Sequence, residues 1–189
     1  RSYAADALVL AAGAQRADLP VAGIRAFEGH GVSSCAVCDA FFYRGRHVAV
    51  IGAGAYAQHE VQILLPHAAR VTLLTNGTAP EVSFSPAVSV DTRRLLRVEV
   101  ERRVERVVFA DETPLDVDGI FLAVGVAGST ALAQKLGVRL DGSSIAVDAH
   151  MATNVPHVYA AGDCTGGLLQ IAKAVYEGAQ AGLSAVKTA

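Results

Sequence analysis

Cys35-Ala36-Val37-Cys38-Asp39-Ala40-Phe41-Phe42-Tyr43 runs, after a short spacer, into His47-Val48-Ala49-Val50-Ile51-Gly52-Ala53-Gly54-Ala55-Tyr56-Ala57, and these two stretches decide the fold. His47 to Ile51 is rich in β-branched residues and predicts a strand. Gly52-x-Gly54-x-x-Ala57 then opens a helix that runs to about Leu65, before Pro66 breaks it. The first glycine of such a turn permits the tight bend, and the second lets backbone approach a pyrophosphate. The third small residue lets helix and strand pack closely, while the helix N-terminus meets the negative phosphates. The pattern gains its weight from standing between a clear strand and a clear helix. Gly52, Gly54 and Ala57 are therefore candidate cofactor-binding residues.

The upstream Cys35-x-x-Cys38 pair can close a small disulfide and open it again, or supply half of a zinc site. A zinc knuckle needs two more ligands, and no second C-x-x-C or H-x-x-x-H follows. The spacing leaves helix or loop open at residues 35–39. C-x-x-C pairs commonly stand at a helix N-terminus, where free N–H groups and the helix dipole stabilise a thiolate. Asp39, directly after the pair, is either a helix cap or a proton donor and acceptor to the dithiol. A dithiol beside a nucleotide turn suggests electrons moving between a cofactor and a disulfide.

Composition bounds the rest. The 189 residues suffice for one domain or two small ones, and 52% hydrophobic with 18% charged residues argues for a folded core. A net charge of −2 gives no basic surplus for nucleic acid or anionic membrane. The apolar runs are too short to cross a bilayer and no signal peptide is visible, so the expected compartment is the cytoplasm. Three cysteines, two of them in C-x-x-C, do not make a secreted disulfide framework, and no metal site is expected. Cys164 reads as a buried thiol.

Along the chain, Ala7 to Ala12 predicts a buried strand ending at Gly13, and residues 15–32 read as loop. Arg70 to Leu74 predicts the next strand. A NAD site usually has an acid at the end of this strand and a NADP site has arginines. Thr75-Asn76-Gly77 offers neither, and Arg93, Arg94 and Arg97 lie too far on in sequence to substitute. Nicotinamide binding is therefore doubtful. Short alternating stretches at 98–101, 106–109 and 115–118 predict a small antiparallel meander, with the charges from Glu99 to Arg106 on a solvated face. Gly119 to Val124 predicts another buried strand, Ser129 to Leu136 a short helix, and residues 143–156 a strand and turn. Gly162-Asp163 alone would be a turn with a cap. Gly166-Gly167-Leu168-Leu169-Gln170-Ile171-Ala172 predicts the start of a last helix whose small residues allow tight packing.

The order of C-A-V-C-D-A-F-F-Y-R-G at 35–45, V-A-V-I-G-A-G-A-Y-A at 48–57, F-L-A-V-G at 121–125 and V-Y-A-A-G-D at 158–163 resembles the low-molecular-weight thioredoxin reductases, class II pyridine nucleotide-disulfide oxidoreductases. The match covers most of the chain. The resemblance implies an α/β fold. A Rossmann-type dinucleotide-binding domain carrying the redox C-x-x-C and a small antiparallel meander spans 33–126. Pieces of a second, FAD-type domain at 1–32 and 127–189 flank it. The family's flavin domain has its own G-x-G-x-x-G upstream of this point, and none precedes Cys35. The resemblance further implies FAD and NADP as cofactors and Cys35, Cys38 and Asp39 as catalytic residues. Cys38 would face the flavin and Cys35 would attack the partner. Gly125, Gly162, Asp163, Gln170, Ile171 and Ala172 would contact cofactor, although the family has Arg-Gln where this chain has Leu169-Gln170. In the family Phe41-Phe42-Tyr43 packs beside the flavin or at a domain contact; ordinary core packing is the alternative.

The implied function is a flavoprotein thiol–disulfide oxidoreductase. It passes electrons from NAD(P)H through FAD to the Cys35–Cys38 disulfide, and on to a thioredoxin-like protein or a small disulfide. A homodimer is expected, without nucleic-acid or membrane partners. Two rivals remain. One is an NADPH-independent flavin dithiol oxidase or reductase; the other is a catalytically incomplete fragment, partner-dependent subunit or protein-binding module.

Overall fold

The computed structural model describes residues 4–16, 19–100, 104–124, 126–127, 129–142 and 144–188. In chain order its strands are β1 (Leu8–Leu10), β2 (Gln15–Arg16), β3 (Val32–Ser33), β4 (His47–Ile51), β5 (Arg70–Leu74), β6 (Ser89–Asp91), β7 (Leu95–Val100), β8 (Val104–Phe109), β9 (Pro114–Asp116), β10 (Gly119–Leu122), β11 (Val126–Ala127), β12 (Leu140–Asp141), β13 (Ser144–Ile145) and β14 (Val158–Ala160). The helices are α1 (Ala36–Asp39), α2 (Ala55–Leu64), α3 (Ser129–Lys135) and α4 (Ile171–Thr188). The chain divides into two units, residues 17–125 and residues 1–16 with 126–189.

The 17–125 unit is built on a five-stranded parallel sheet of order β3-β10-β4-β5-β6. Strand alternation sends successive side chains to opposite faces. Val48 and Val50 of β4, Val71 and Leu73 of β5 and Phe121 of β10 face Ala57, Val61 and Leu64 of α2. Ala49, Ile51, Leu74, Ile120 and Leu122 face the other way, onto Val98, Val104, Val107 and Phe109. Those four residues belong to the antiparallel meander β7-β8-β9, which matches the alternating pattern of the sequence. The unit is thus a sheet sandwiched between a helical layer and the meander. A sheet covered on both faces needs continuous apolar strands, and β4, β5 and β10 supply them. On the meander Arg97 pairs with Glu99 and Glu112, and Arg106 with Asp116. Residues 101–103 of the expected charged face lie outside the described residues.

Residues 19–32, expected as loop, pack with this unit and contain the one-turn helix Arg25–Phe27 and the start of β3. Residues 35–39 resolve to helix, with Cys35 at the N-cap.

In the other unit β1 pairs in parallel with β14. Leu10, Ala133, Val138, Ile145, Ala160 and Cys164 form one core, and Met151, Tyr159, Ala161 and Ala181 a second. The strand at Ala7–Ala12 is shorter and less buried than expected. Only Leu10 is buried, while Leu8 is 41% and Val9 38% exposed. Among the described residues the β1–β14 pair has no third strand, so little covers these positions. The last helix also starts later than expected. Gly166 and Gly167 take φ +76° and +69°, left-handed geometry that a right-handed helix excludes, and α4 begins at Ile171.

Candidate active site

Cys35 and Cys38 are joined by a disulfide with their Cα atoms 5.3 Å apart. Cys35 caps α1, its Sγ accepting the Cys38 amide at 3.2 Å. Ser33, at the end of β3, organises the entry to this turn. Its hydroxyl accepts the Cys35 amide at 3.1 Å and donates to Asp39 Oδ2 at 2.6 Å. The next amide, that of buried Ala36, donates to Glu60 Oε2 at 2.6 Å, and Tyr56 Oη donates to the Ser34 carbonyl at 2.9 Å. Tyr56 and Glu60 both come from α2, so the dithiol turn is fastened to the helix that follows the glycine turn. Val37, Phe41 and Phe42 around the pair are exposed, Phe42 by 72%. Tyr43 does pack in the core, edge-on to Phe121. The arrangement can exchange a disulfide with an approaching thiol while holding a carboxyl close by. Among the described residues no group of three or more His, Cys, Asp or Glu side chains could hold a metal.

At the glycine turn, a Cβ on Gly52 would collide with the Ala123 carbonyl and stand 2.9 Å from Ala57 Cβ. Glycine and alanine there let β4, β10 and α2 approach closely. The expected pyrophosphate position beside Gly54 is contested. Glu81 donates its amide to the Ala53 carbonyl at 2.8 Å, and its Oε2 lies 2.6 Å from where a Gly54 Cβ would be. A carboxylate against the helix end that should receive phosphate opposes a second anion there. Beyond β5, Asn76 Oδ1 is used by the Leu95 amide and Thr75 is buried. Arg93 pairs with Asp91 and lies over the Phe109 ring at 3.8 Å, and Arg97 is also paired. Arg94 corrects the sequence reading. The link from β6 to β7 brings its side chain over Gly77, with Cγ 2.8 Å and Nε 3.3 Å from a Cβ placed there. It is exposed and makes no ion pair with a described residue. As arranged, the carboxylate of exposed Glu81 meets the pyrophosphate side of this turn, and among the described residues near Gly77 Arg94 is the cation that would favour a 2′-phosphate.

In the other unit a cavity of about 310 Å³ gathers Gly13, Gly162, Asp163, Gln170, Ile171 and Ala174. Gly162 has φ +84°, and the Asp163 carboxylate lining the cavity has no hydrogen-bond partner among the described residues. The turn is locked from behind. Glu177 Oε2 accepts the Gly162 amide at 2.8 Å, Thr165 Oγ1 at 2.9 Å and Lys173 Nζ at 2.9 Å. Burial works against ionisation of Glu177, but these hydrogen bonds outweigh it and its carboxyl lies below the usual range. Small residues, a free carboxylate acceptor and the start of an 18-residue helix fit the polar chain of a flavin. Ala172 is exposed and outside the cavity lining, and Gly125 lies outside the described residues. Cys164 is buried, its thiol donating to the Leu10 and Ala161 carbonyls, and burial pushes its pKa up.

The structure therefore gathers Cys35, Cys38 and Asp39 on one turn, Gly52, Gly54 and Ala57 on a second, and Gly162, Asp163, Gln170 and Ile171 around one cavity. Ser33, Glu60, Glu81 and Glu177 escaped sequence reasoning. A serine two residues before a C-x-x-C and the i,i+4 spacing of Lys173 and Glu177 were the local signals; Glu60, Glu81 and the Gly162 side of Glu177 are reached through tertiary contacts.

A sheet sandwiched between helices and a meander, a glycine turn at the end of its central strand and a disulfide that caps a helix define a dinucleotide-binding-type fold carrying a C-x-x-C pair. Residues 1–178 match the family model for pyridine nucleotide-disulphide oxidoreductase, and the chain belongs to that family. It is 30% identical to the thioredoxin reductase of Listeria innocua, the match taking in 99% of this chain and 64% of that protein. Among solved structures it is similar to the atypical thioredoxin reductase TRi from Desulfovibrio vulgaris Hildenborough, at 38% identity and TM-score 0.59, covering 96% of this chain and 64% of that one. It is also similar to a ferredoxin-flavin thioredoxin reductase from Clostridium acetobutylicum, at 32% identity and TM-score 0.54, covering 96% and 62%. The chain thus spans just under two thirds of the length of these relatives. Among the described residues no helix is long and apolar enough to cross a membrane.

Proposed function

We propose that this chain serves a flavin-dependent thiol–disulfide oxidoreductase of the thioredoxin-reductase type, with Cys35–Cys38 as its redox centre. The observation that carries this reading is the disulfide capping α1 with the Asp39 carboxyl held beside it by Ser33. In this reading the 17–125 unit is the dithiol-bearing dinucleotide-fold domain and the other unit belongs to a flavin-type domain. Gly162, Asp163, Gln170 and Ile171 would hold the flavin, which supplies two reducing electrons to a disulfide when bound.

Two electrons and two protons open Cys35–Cys38 to two thiols. Asp39 exchanges one of these protons. The Cys35 thiolate attacks one sulfur of the substrate disulfide, forming a mixed disulfide and releasing the other sulfur as thiol. Cys38 then attacks Cys35, re-forming the internal disulfide and releasing the reduced substrate. Exposed Val37, Phe41 and Phe42 beside the pair suit a protein substrate such as a thioredoxin-like protein.

The Glu81 carboxylate at Gly54 and the engaged Asn76 favour an electron donor other than a nicotinamide. The name of the Clostridium acetobutylicum relative, a ferredoxin-flavin enzyme, supports such a donor. The NADPH reading is supported by the pyridine-nucleotide family to which the chain belongs and by Arg94 at Gly77, which makes no ion pair with a described residue. The test is the visible spectrum of the flavin-loaded protein under anaerobic titration. Bleaching by dithiols but not by NADPH or NADH supports the favoured reading. Stoichiometric bleaching by NADPH overturns it in favour of the nicotinamide-driven reductase. A Cys35–Cys38 pair that neither accepts nor delivers electrons sinks both.

A further inference from the structure

We propose that Glu60 is a positioning residue whose buried negative charge restrains thiolate formation at Cys35–Cys38 and so keeps the pair strongly reducing. The inference rests on the redox reading of that pair. Glu60 is 4% exposed on α2, and its Oε2 takes the Ala36 amide at 2.6 Å. Ala36 is itself fully buried and follows Cys35 directly. Its amide is the first of α1, a helix-end donor beside the N-cap sulfur. Glu60 has claimed that donor.

The consequence follows from charge. As a carboxylate, Glu60 places one buried anion at the turn, with the Ala36 amide among its donors. Opening the disulfide allows a second anion at the same turn, on the sulfur that caps it and already accepts the Cys38 amide. Two like charges in one partly buried site disfavour each other's ionised forms. Asp39 and Tyr56 are also titratable and hydrogen-bonded into this segment, Asp39 through Ser33 and Tyr56 to the Ser34 carbonyl. Both bonds leave the Ala36 amide to Glu60. A dithiol whose thiolate form is destabilised has a lower potential and passes electrons on more readily, the opposite of an oxidant whose reduced form is stabilised. The sequence offers no hint of this, because Glu60 stands 24 residues beyond Ala36.

The test compares the full chain with Glu60→Gln, which keeps an acceptor for the Ala36 amide and removes the charge. Thiolate absorbance against pH is expected to shift about one unit lower in Glu60→Gln. At pH 9, equilibration with glutathione should show a dithiol up to about tenfold more stable, ~30 mV higher in potential. Glu60→Asp, which retains the charge, should stay near wild type. An unchanged midpoint in Glu60→Gln, or an equal shift in Glu60→Asp, overturns the inference. A pair that glutathione and dithiothreitol cannot cycle overturns the redox reading and this inference together. If Glu60→Gln does not fold, the wild-type chain labelled at glutamate Cδ gives the same decision by nuclear magnetic resonance. Across the thiol titration the Glu60 Cδ shift must be that of a carboxylate, with the thiolate midpoint above the value of about 8.5 for a free thiol; a protonated Glu60 there, or a midpoint at or below the free-thiol value, overturns the inference.

Discussion

The Ser33 hydroxyl bridges the Cys35 amide and the Asp39 carboxylate, donating to Asp39 Oδ2 at 2.6 Å and accepting from Cys35 at 3.1 Å. One side chain at a strand end thus fixes both the first cysteine and the acid that follows the second. Ser33→Ala removes this bridge without adding bulk. Stopped-flow reduction of a thioredoxin-like disulfide by the pre-reduced pair should slow about tenfold, whereas Asp39→Asn should slow it about a hundredfold or more. Equal rates in wild type and Asp39→Asn would remove Asp39 from proton transfer.

Glu81 makes a second prediction. Neutralising it as Glu81→Gln should strengthen binding of NADPH and of the bare 2′-phospho-ADP-ribose about tenfold by calorimetry, ~1.4 kcal/mol. Adding Arg94→Ala to that variant should reverse part of the gain for NADPH and little for NADH, because only the former carries the extra phosphate. Wild-type affinity equal to that of Glu81→Gln would show that the carboxylate swings clear.

Glu177 sets an acid limit on the Gly162–Thr165 turn. Its carboxyl is lowered in the folded chain, so its contribution is fully present above the ordinary carboxylate range and is lost as pH falls through the folded value. Thermal melts should therefore lose stability below about pH 4.5. Glu177→Gln should flatten that acid dependence and cost about 2 kcal/mol at neutral pH, leaving Lys173 without its partner. Flavin affinity should fall with it, read by fluorescence on dilution.

Cys164 should be silent. A thiol 2% exposed whose ionisation is opposed by burial has little thiolate at neutral pH. Brief alkylation of the reduced native chain should modify Cys35 and Cys38 and leave Cys164 unlabelled until denaturant is added, as read by peptide mass. Labelling of Cys164 at a rate equal to Cys35 would contradict its packing.

Local pattern carried much of this architecture. The β-branched and apolar runs at 47–51, 70–74 and 119–124 were legible as strands, and the glycine turn and Pro66 bracketed α2. The alternation at 98–101, 106–109 and 115–118 likewise pointed to the meander, because side-chain direction in a strand depends on neighbours one and two residues away. Where the reading strayed, a local feature was overridden or incomplete. Gly166 and Gly167 delayed α4 through left-handed backbone, and Leu8 and Val9 are apolar yet uncovered in a two-stranded pair.

The sequence by itself determined the disulfide-forming pair, the glycine turn and the succession of strands, since each rests on spacing within a few residues. Only the tertiary structure decided what surrounds them. Parallel pairing placed Ser33 beside the α1 entry, helix packing carried Glu60 to Ala36, the segment after β5 laid Glu81 against Gly54, and the link from β6 to β7 put Arg94 over Gly77. Charge acts through space with the reach of a few ångströms, so residues far apart in the chain set the chemistry of a motif that the chain spells out locally.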